Sequence, residues 1–178
     1  MKNLNNYISE KLNIKDIKRQ YNYFPKTKDE LRQILEERLK EDKNANLNDI
    51  DVSKITDMSY LFSDLDPHNI DISKWDVSNV TDMYNMFYDC NSFNSDLSNW
   101  DVSNVTDMTA MFAICKEFNS DLSKWDVSNV KHMTNMFYDC NSFNSDLSNW
   151  DVSNVTDMYN MFDGCSSLKH IPSWYKNN

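Results

Sequence analysis

The chain has 178 residues, of which 40% are apolar, and it carries a net charge of −10 at pH 7. No apolar run approaches the roughly 18 residues of a membrane-spanning helix, so we expect no membrane span. The acidic charge is concentrated in residues 47–178, which hold 20 acidic and 7 basic side chains. Such a surface repels nucleic-acid phosphates, so nucleic-acid binding is not among the predicted functions.

The first predicted segment comprises residues 1–24. Four of its residues have the spacing of one face of a short helix: Leu4, Tyr7, Ile8 and Leu12. The segment begins without an apolar stretch or a small-residue cleavage site, so we predict no signal peptide. We therefore expect a cytoplasmic or phage-associated protein, unless another route exports it. The segment either packs on the element that follows or serves as a docking element.

The second predicted element is a capping helix within residues 25–46. Thr27 and Glu30 form a capping box directly after Pro25. The apolar residues of the segment recur with helical spacing: Leu31, Ile34, Leu35 and Leu39. Because this helix directly precedes a set of repeats, we predict that it covers the first of them.

Residues 47–168 repeat with a period of 25. The phrase WDVSNVTDM begins at Trp75 and returns in later copies, after a half unit at residues 47–50. A catalytic motif is needed only once, whereas a phrase repeated at a fixed interval is typical of a unit that stacks on copies of itself. The five units are 51–75, 76–100, 101–125, 126–150 and a diverging unit from 151.

Each unit contains two predicted elements. Val80, Met83, Phe87 and Cys90 are spaced like one face of a short helix, and residues 96–102 read as a short extended strand. One unit has too little core to be stable alone, so neighbours are expected to stack with their strands paired in parallel. The predicted fold is an α/β repeat solenoid with one short strand and one short helix per unit. The repeated apolar residues are expected to form columns in its core: Trp75, Trp100, Trp125 and Trp150; Phe87, Phe112, Phe137 and Phe162; Cys90, Cys115, Cys140 and Cys165.

The cysteine column has three possible roles: metal ligation, disulfide pairing between adjacent units, or filling of the core. Close pairs such as Cys-x-x-Cys, which zinc sites favour, do not occur. Distance does not exclude disulfides between adjacent units, since stacked Cα atoms can fall within the ~4.4–6.8 Å that a disulfide spans. Leu65 occupies the same position in the first unit. A position that accepts leucine favours burial as free thiols.

A column of aspartates also repeats, at Asp76, Asp101, Asp126 and Asp151. These side chains can cap nearby backbone amides, remain solvated, or bind calcium through their oxygens. We favour capping, and we expect no metal and no cofactor. Beyond the repeats, residues 169–178 form a predicted C-terminal cap, in which Ile171, Pro172 and Trp174 break the register.

Enzymatic activity is not predicted. Catalysis requires unlike groups that converge on one pocket, whereas the polar groups here repeat as columns of like groups. The variable positions lie between the repeated apolar residues and are expected to be exposed. Tyrosines in such positions suit protein contacts, which makes Tyr84, Tyr88, Tyr138 and Tyr159 the candidate binding residues. The alternative is a structural spacer or virion-associated scaffold that is docked by its N-terminal segment.

The repeat carries a recognisable motif, W-D-V-S-N-V-T-D-M-x-x-M-F-x-x-C-x-x-F-N-x-D-L-S, at residues 75–98 and nearly complete at 100–123. Over residues 51–168 the chain resembles the BspA-like leucine-rich-repeat surface proteins of mycoplasmas and gut bacteria. The resemblance implies a right-handed, leucine-rich-repeat-like coil without enzymatic activity. It also implies a surface protein that binds a protein partner, although the sequence does not identify that partner.

Overall fold

A computed structural model of the chain describes residues 21–176. Among these residues there is one α-helix, α1, at Lys28–Glu41. Thr27 caps α1, since its side chain accepts a hydrogen bond from the amide of Glu30, and the Glu30 carboxylate in turn accepts from the amide of Lys26. The helix ends at Glu41, and the following C-cap residue, Asp42, has an extended backbone. The predicted helical segment at residues 1–24 lies almost wholly outside the described residues.

Helix α1 lies over the first unit of the repeats. Leu31, Leu35 and Leu39 are buried and belong to the same continuous core as the units. Polar contacts fix the helix at both ends, because Lys28 pairs with Asp57 at 2.7 Å and Arg38 pairs with Asp49 at 3.1 Å. Three hydrogen bonds from Arg32 to backbone carbonyls of the first unit complete the attachment: to Tyr60, Leu61 and Ser63.

The predicted α/β solenoid of strand–helix units is wrong, and so is the leucine-rich-repeat-like coil that the resemblance implied. Within residues 21–176, no unit contains a helix or a strand, and the chain is mostly turns and irregular backbone. The 3-4-3 spacing of Val80, Met83, Phe87 and Cys90 instead reflects consecutive turns. Each turn is closed by an amide bonded to the carbonyl three residues earlier, as in Met86 to Met83 and Cys90 to Phe87.

The physical reason that no helix forms is that alternate amides are bonded to the next unit. Met83 donates to the carbonyl of Asp107, and the amides of residues 85, 87 and 89 likewise donate to carbonyls of the next unit. An α-helix needs those amides for its own i−4 carbonyls. Asn85 and Asp89 also have positive φ, 53° and 59°, which interrupts any helical run.

The predicted strand at residues 96–102 is also absent. The amide of Trp100 bonds to the carbonyl of Leu97, which closes a turn where an extended segment was expected. Backbone pairing between units is confined to isolated parallel bridges, four of which lie in the predicted helical region: Asp57 with Asp82, Asp82 with Asp107, Asp107 with His132, and His132 with Asp157. Two further bridges pair Tyr23 with Ile50 and Asn46 with Asp71. The units therefore pack in a parallel register of 25 residues without forming a sheet.

The tryptophans form a column inside the stack. Trp75, Trp100, Trp125 and Trp150 are 4–5% exposed, and the Trp75 and Trp100 rings stack at 6.4 Å with an interplanar angle of 4°. Each indole N–H donates to a carbonyl 28 residues earlier, as in Trp125 to Leu97 at 3.0 Å. The same side chain thus packs the core and pairs a buried carbonyl of an earlier unit.

The phenylalanines form a second column beside the tryptophans. Phe87, Phe112 and Phe137 are fully buried, and Phe162 is 7% exposed. Adjacent rings in the column are nearly parallel, with centroids 5.6 Å apart from Phe87 to Phe112 and 5.7 Å apart from Phe112 to Phe137. Aromatic stacking therefore repeats along the core at the same interval as the sequence.

The C-terminal segment continues the tryptophan column. Trp174 stacks on Trp150 at 6.4 Å and donates its indole N–H to Leu147, 27 residues earlier rather than 28. Trp174 therefore follows Trp150 by 24 residues and yet occupies the next place in the column. Pro172 is buried beside it, whereas Ile171 is 63% exposed. Residues 177–178 of the predicted cap lie outside the described residues.

Candidate functional site

The candidate site is the face of the units that carries the tyrosines. Tyr88, Tyr138 and Tyr159 are 38%, 39% and 57% exposed, whereas Tyr84 is half-buried. The neighbouring Met83 and Phe87 are fully buried. Along this stretch, turns alternate with amides that donate to the next unit. This backbone directs one set of side chains inward and leaves the side chains between them at the surface.

The predicted binding residues fall into two adjacent columns. Tyr88 and Tyr138 belong to the same column, where Ala113 stands between them. Tyr84 and Tyr159 belong to the other column and are separated by Thr109 and Thr134. Tyr88 and Tyr138 therefore lie two units apart in one column, whereas Tyr84 and Tyr159 lie three units apart in the other.

Tyr60 is a site residue that sequence reasoning missed. Its side chain is 50% exposed, and its ring meets that of Tyr84 edge-on, with centroids 5.1 Å apart and an interplanar angle of 72°. A hydrogen bond with Tyr60 is the main reason that the pKa of Tyr84 is raised above its usual value. The signal was present in the sequence, because Tyr60 occupies a position held by Asn85, Asn135 and other small residues in later units.

The middle unit differs from its neighbours on this face. Ala110 and Ala113 are buried there, and Ile114 occupies a position that is aspartate in the units before and after it, at Asp89 and Asp139. The backbone of Ile114 is left-handed, with φ 65°. Such a conformation is costly for a β-branched residue. In the last unit the same position is Gly164, the one glycine of the chain, where an added Cβ would lie 2.8 Å from the Asp139 Cα.

The side-chain amides next to the face have buried acceptors without partners. Asn85 and Asn135 stand on either side of Ala110 in one column. In both residues the side-chain oxygen is buried and has no hydrogen-bond partner among the described residues. Unpaired buried acceptors are uncommon in folded proteins because their desolvation is not compensated.

The cysteine column lies behind this face. The structure contains Cys90, Cys115, Cys140 and Cys165 as free thiols, of which the first three are buried and Cys165 is half-buried. Each thiol donates to a carbonyl 28 residues earlier, as in Cys140 to Phe112 at 2.8 Å. Burial raises the pKa of all four thiols, and that of Cys165 to about 12. A cysteine at this position therefore fills the core and also pairs a carbonyl.

The aspartate column serves as a set of local caps. The Asp126 carboxylate accepts from the amide of Ser128 at 3.0 Å, and Asp76, Asp101 and Asp151 accept in the same way from the serine two residues later. These bonds close turns and use one oxygen of each carboxylate. Within residues 21–176, no group of three or more His, Cys, Asp or Glu side chains is placed to hold a metal ion.

Shallow cavities occur at the two ends of the stack. One, of about 270 Å³, lies between α1 and the first unit and is lined by Lys28, Arg32, Tyr60 and Asp64, among others. Another, of about 350 Å³, lies at the last unit, beside Val155, Met158 and Trp174. In the first cavity the Lys28 ammonium donates to the Ser59 hydroxyl at 2.8 Å and to the Asp57 carboxylate at 2.7 Å, contacts that attach α1 to the first unit. In the described part of the chain, no helix is both long and apolar enough to cross a membrane.

The fold and the exposed face define a protein of turn-built, 25-residue repeats with a helix over the first unit. The chain belongs to the family described as Mycoplasma protein of unknown function, DUF285, which matches it twice, over residues 29–122 and 96–178. No curated protein and no solved structure matches the chain.

Proposed function

We propose that this protein is a non-enzymatic module that binds another protein through its tyrosine-bearing face. The observation that carries the proposal is the exposure of Tyr60, Tyr88, Tyr138 and Tyr159, which is 38–57% although the residues beside them form the buried core. Tyrosine combines a large apolar ring with a hydroxyl group, which suits it to contacts between proteins.

A purely structural spacer accounts less well for this face. Exposed aromatic side chains invite association, so a surface without a binding role gains nothing from them. The units also carry 20 acidic and 7 basic residues from residue 47 onward. This charge favours a neutral or basic partner and an association that weakens as salt is added.

The distribution of histidines and cysteines over the repeats supports binding over catalysis. The three histidines, His68, His132 and His170, lie in different units and at different positions of the repeat. The four cysteines share one position, so no single thiol is set apart as a nucleophile. The motif's resemblance to BspA-like surface proteins supports a role at a bacterial surface, or in a phage that infects such a bacterium.

The test is a variant with Tyr84→Ser, Tyr88→Ser, Tyr138→Ser and Tyr159→Ser. Wild-type protein and variant are immobilised, and the proteins that each captures from the surface fraction of the native host are compared by mass spectrometry. The variant is expected to lose a partner that the wild type captures, while its melting temperature stays within a few degrees. A matched control with Asn99→Ser and Asn149→Ser changes exposed residues elsewhere and should retain that partner.

Two outcomes would contradict the proposal. Capture that survives the four tyrosine substitutions but is lost on deletion of residues 1–20 would make the repeats a spacer docked by the N-terminal segment. Capture that the control variant loses equally would indicate that the tyrosine face has no special role.

A further inference from the structure

Position 114 is the one place on the tyrosine face where an apolar residue replaces a charged one at a backbone cost. The same position is aspartate in three units, Asp64, Asp89 and Asp139, and all three have positive φ like Ile114. Aspartate tolerates this left-handed conformation far better than a β-branched residue does. The exchange therefore weakens the fold locally.

Ile114 is also set apart from the core of the units. Ile114 is half-buried and lies outside the continuous core that holds Phe112 and Cys115 on either side of it in sequence. Strained backbone of this kind concentrates at positions that serve function. The partly exposed side chain of Ile114 is therefore a candidate for contact with a ligand.

Ile114 is held next to both central tyrosines. Its amide donates to the carbonyl of Tyr138 at 2.7 Å, and the amide of Asp89, next to Tyr88, donates to Ala113 at 2.9 Å. Tyr88, Ile114 and Tyr138 thus occupy three successive units at adjacent positions, and we call them the 114 patch. The patch has an apolar residue in its middle unit and an exposed tyrosine in the unit before and the unit after it.

Carboxylates flank the 114 patch. Asp89 and Asp139 are in register with Ile114 in the units before and after it. Among the described residues neither carboxylate is ion-paired, although each accepts a hydrogen bond from the asparagine two residues later. A ligand over the patch therefore meets apolar surface, two aromatic rings and two available negative charges.

Arginine and lysine match this surface, because each has an aliphatic stem and a cationic end. The stem can cover Ile114, while the cation lies against a tyrosine ring or reaches Asp89 or Asp139. A second copy of this chain is a poor occupant, since both surfaces are acidic. Residues 1–20 carry five basic and two acidic side chains, so this segment is the alternative occupant that the experiment must separate.

Resting on the proposed function, we infer that the 114 patch anchors an arginine or lysine side chain of the partner protein. The claim is narrower than binding by the tyrosine face, since it identifies one position on that face and one class of side chain. It also assigns a role to Ile114, a β-branched residue with a left-handed backbone.

The alanine methyl groups allow binding at the 114 patch to be measured by NMR. The chain contains three, Ala45, Ala110 and Ala113, and the last two lie beside the patch. Full-length protein labelled with ¹³C at the alanine methyl groups therefore gives three signals, of which Ala45 is an internal control. The probes are the peptide acetyl-Gly-Ser-Arg-Ser-Gly-amide and the same peptide with neutral citrulline in place of arginine, both at millimolar concentration.

The arginine peptide is expected to move the Ala113 signal saturably, with Ala45 unchanged and little effect from the citrulline peptide. Tyr88→Ser with Tyr138→Ser should abolish the shift, and the control with Asn99→Ser and Asn149→Ser, which changes exposed residues elsewhere, should retain it. Ile114→Asn should weaken the shift while raising the melting temperature by a few degrees, because asparagine suits the left-handed backbone. A merely structural role for Ile114 would not combine higher stability with lost binding.

Several results would overturn the inference. They are an Ala113 signal that does not respond to the arginine peptide, an equal response to citrulline, or a response that persists without Tyr88 and Tyr138. A change of the Ala113 signal on deletion of residues 1–20 alone would identify that segment as the occupant. If the four-tyrosine variant loses its partner but Ala113 ignores arginine, only this inference fails; if that variant keeps its partner, the proposed function fails.

Discussion

The Nη1 atom of Arg32 donates a hydrogen bond of 2.7 Å to the backbone carbonyl of Ser63, and it also reaches the carbonyls of Tyr60 and Leu61. In the following units, the carbonyls equivalent to that of Leu61 accept amides from the unit before, as when Met111 accepts from Phe87. The carbonyls of Ala113, Tyr138 and Asp163, which are equivalent to that of Ser63, do the same. The first unit has no unit before it. One guanidinium on α1 therefore supplies donors that a preceding unit would otherwise provide.

Substitution of Arg32 should thus destabilise the whole stack. We expect Arg32→Ala to lower the free energy of unfolding by about 1–3 kcal/mol, because partly buried carbonyls lose a charged donor. Urea denaturation followed by circular dichroism measures the change. The control is Glu36→Gln, which removes only the exposed pair at 2.9 Å between Glu36 and the Arg32 Nε. It should cost a few tenths of a kcal/mol; an equal cost for both variants would contradict the capping role.

Trp125→Ala should be among the most damaging single substitutions. It opens a cavity in a core where the indole is 4% exposed, and we expect a loss of about 3–5 kcal/mol. Trp125→Phe should cost clearly less. The carbonyl of Leu97, which would lose the indole donor, still accepts the amide of Trp100. Equilibrium denaturation of both variants checks the order, and equal losses would show that the hydrogen bond matters more than the packing.

The thiols should be nearly inert in the folded protein. Burial raises the pKa of Cys90, Cys115 and Cys140 above the ordinary range, and the thiolate is the reactive form. With iodoacetamide at pH 8, we expect slow modification of the half-buried Cys165 and almost none of the other three. Mass spectrometry after alkylation in denaturant without reductant should find all four modified. Fewer modified sites would indicate disulfides.

Stability should fall in acid because of the serine-capped aspartates. Hydrogen bonds from the Ser128 hydroxyl and amide hold the pKa of Asp126 below its usual value, and Asp96, Asp146 and Asp151 are lowered in the same way. A lowered folded pKa stabilises the fold above the unfolded value, about 3.9, and this contribution is lost as pH falls through the folded value. The melting temperature should therefore be level from about pH 7 to 5 and decline below about pH 4.

Ser128→Ala provides the matched test of that mechanism. It should move the pKa of Asp126 upward, toward the ordinary value, in an NMR titration of the carboxyl carbon. Asp151, whose cap is Ser153, should titrate as before. An unchanged Asp126 titration would show that the serine bonds do not set its acidity.

Chelation should leave the protein unaffected. Each aspartate of the column is engaged by the serine two residues later, which gives it a structural role without calcium. We expect the same melting temperature with and without EDTA. A fall with EDTA that calcium restores would indicate a bound ion, because a ligand that binds the folded state raises its stability.

The sequence allowed the period, the capping helix and the candidate tyrosines to be named, but not the backbone of the units. Trp100 and Phe87 each belong to a set of identical residues 25 positions apart, and each stacks on the equivalent residue of a neighbouring unit. The spacing is visible without a structure. The spacing of Met83, Phe87 and Cys90 is equally compatible with a helix and with successive turns. The deciding fact, that the amide of Met83 bonds to Asp107, is a contact between units that local periodicity cannot express.

The exposure of most candidate tyrosines was predictable from the sequence, and their arrangement was not. Tyr88 and Tyr138 were named because the residue at their position varies along the repeats. Tyr60 was not named, although it is a tyrosine at a position that small residues occupy in the later units. The unusual backbone of Ile114 has no signature in the sequence beyond the loss of an aspartate. Only the three-dimensional register shows that this isoleucine adjoins both tyrosines.

The parallel register of the hydrogen bonds also has an evolutionary consequence. Residues 76–100 and 126–150 differ at three positions, so recombination between the corresponding stretches of the gene can duplicate or delete whole units. Each unit donates hydrogen bonds to the next unit in the same pattern. A duplication or deletion of whole units therefore joins surfaces that are already complementary. Arg32 caps the first unit whatever number follows it. The gene can therefore lengthen or shorten the tyrosine face in whole repeats while the fold at each junction stays the same.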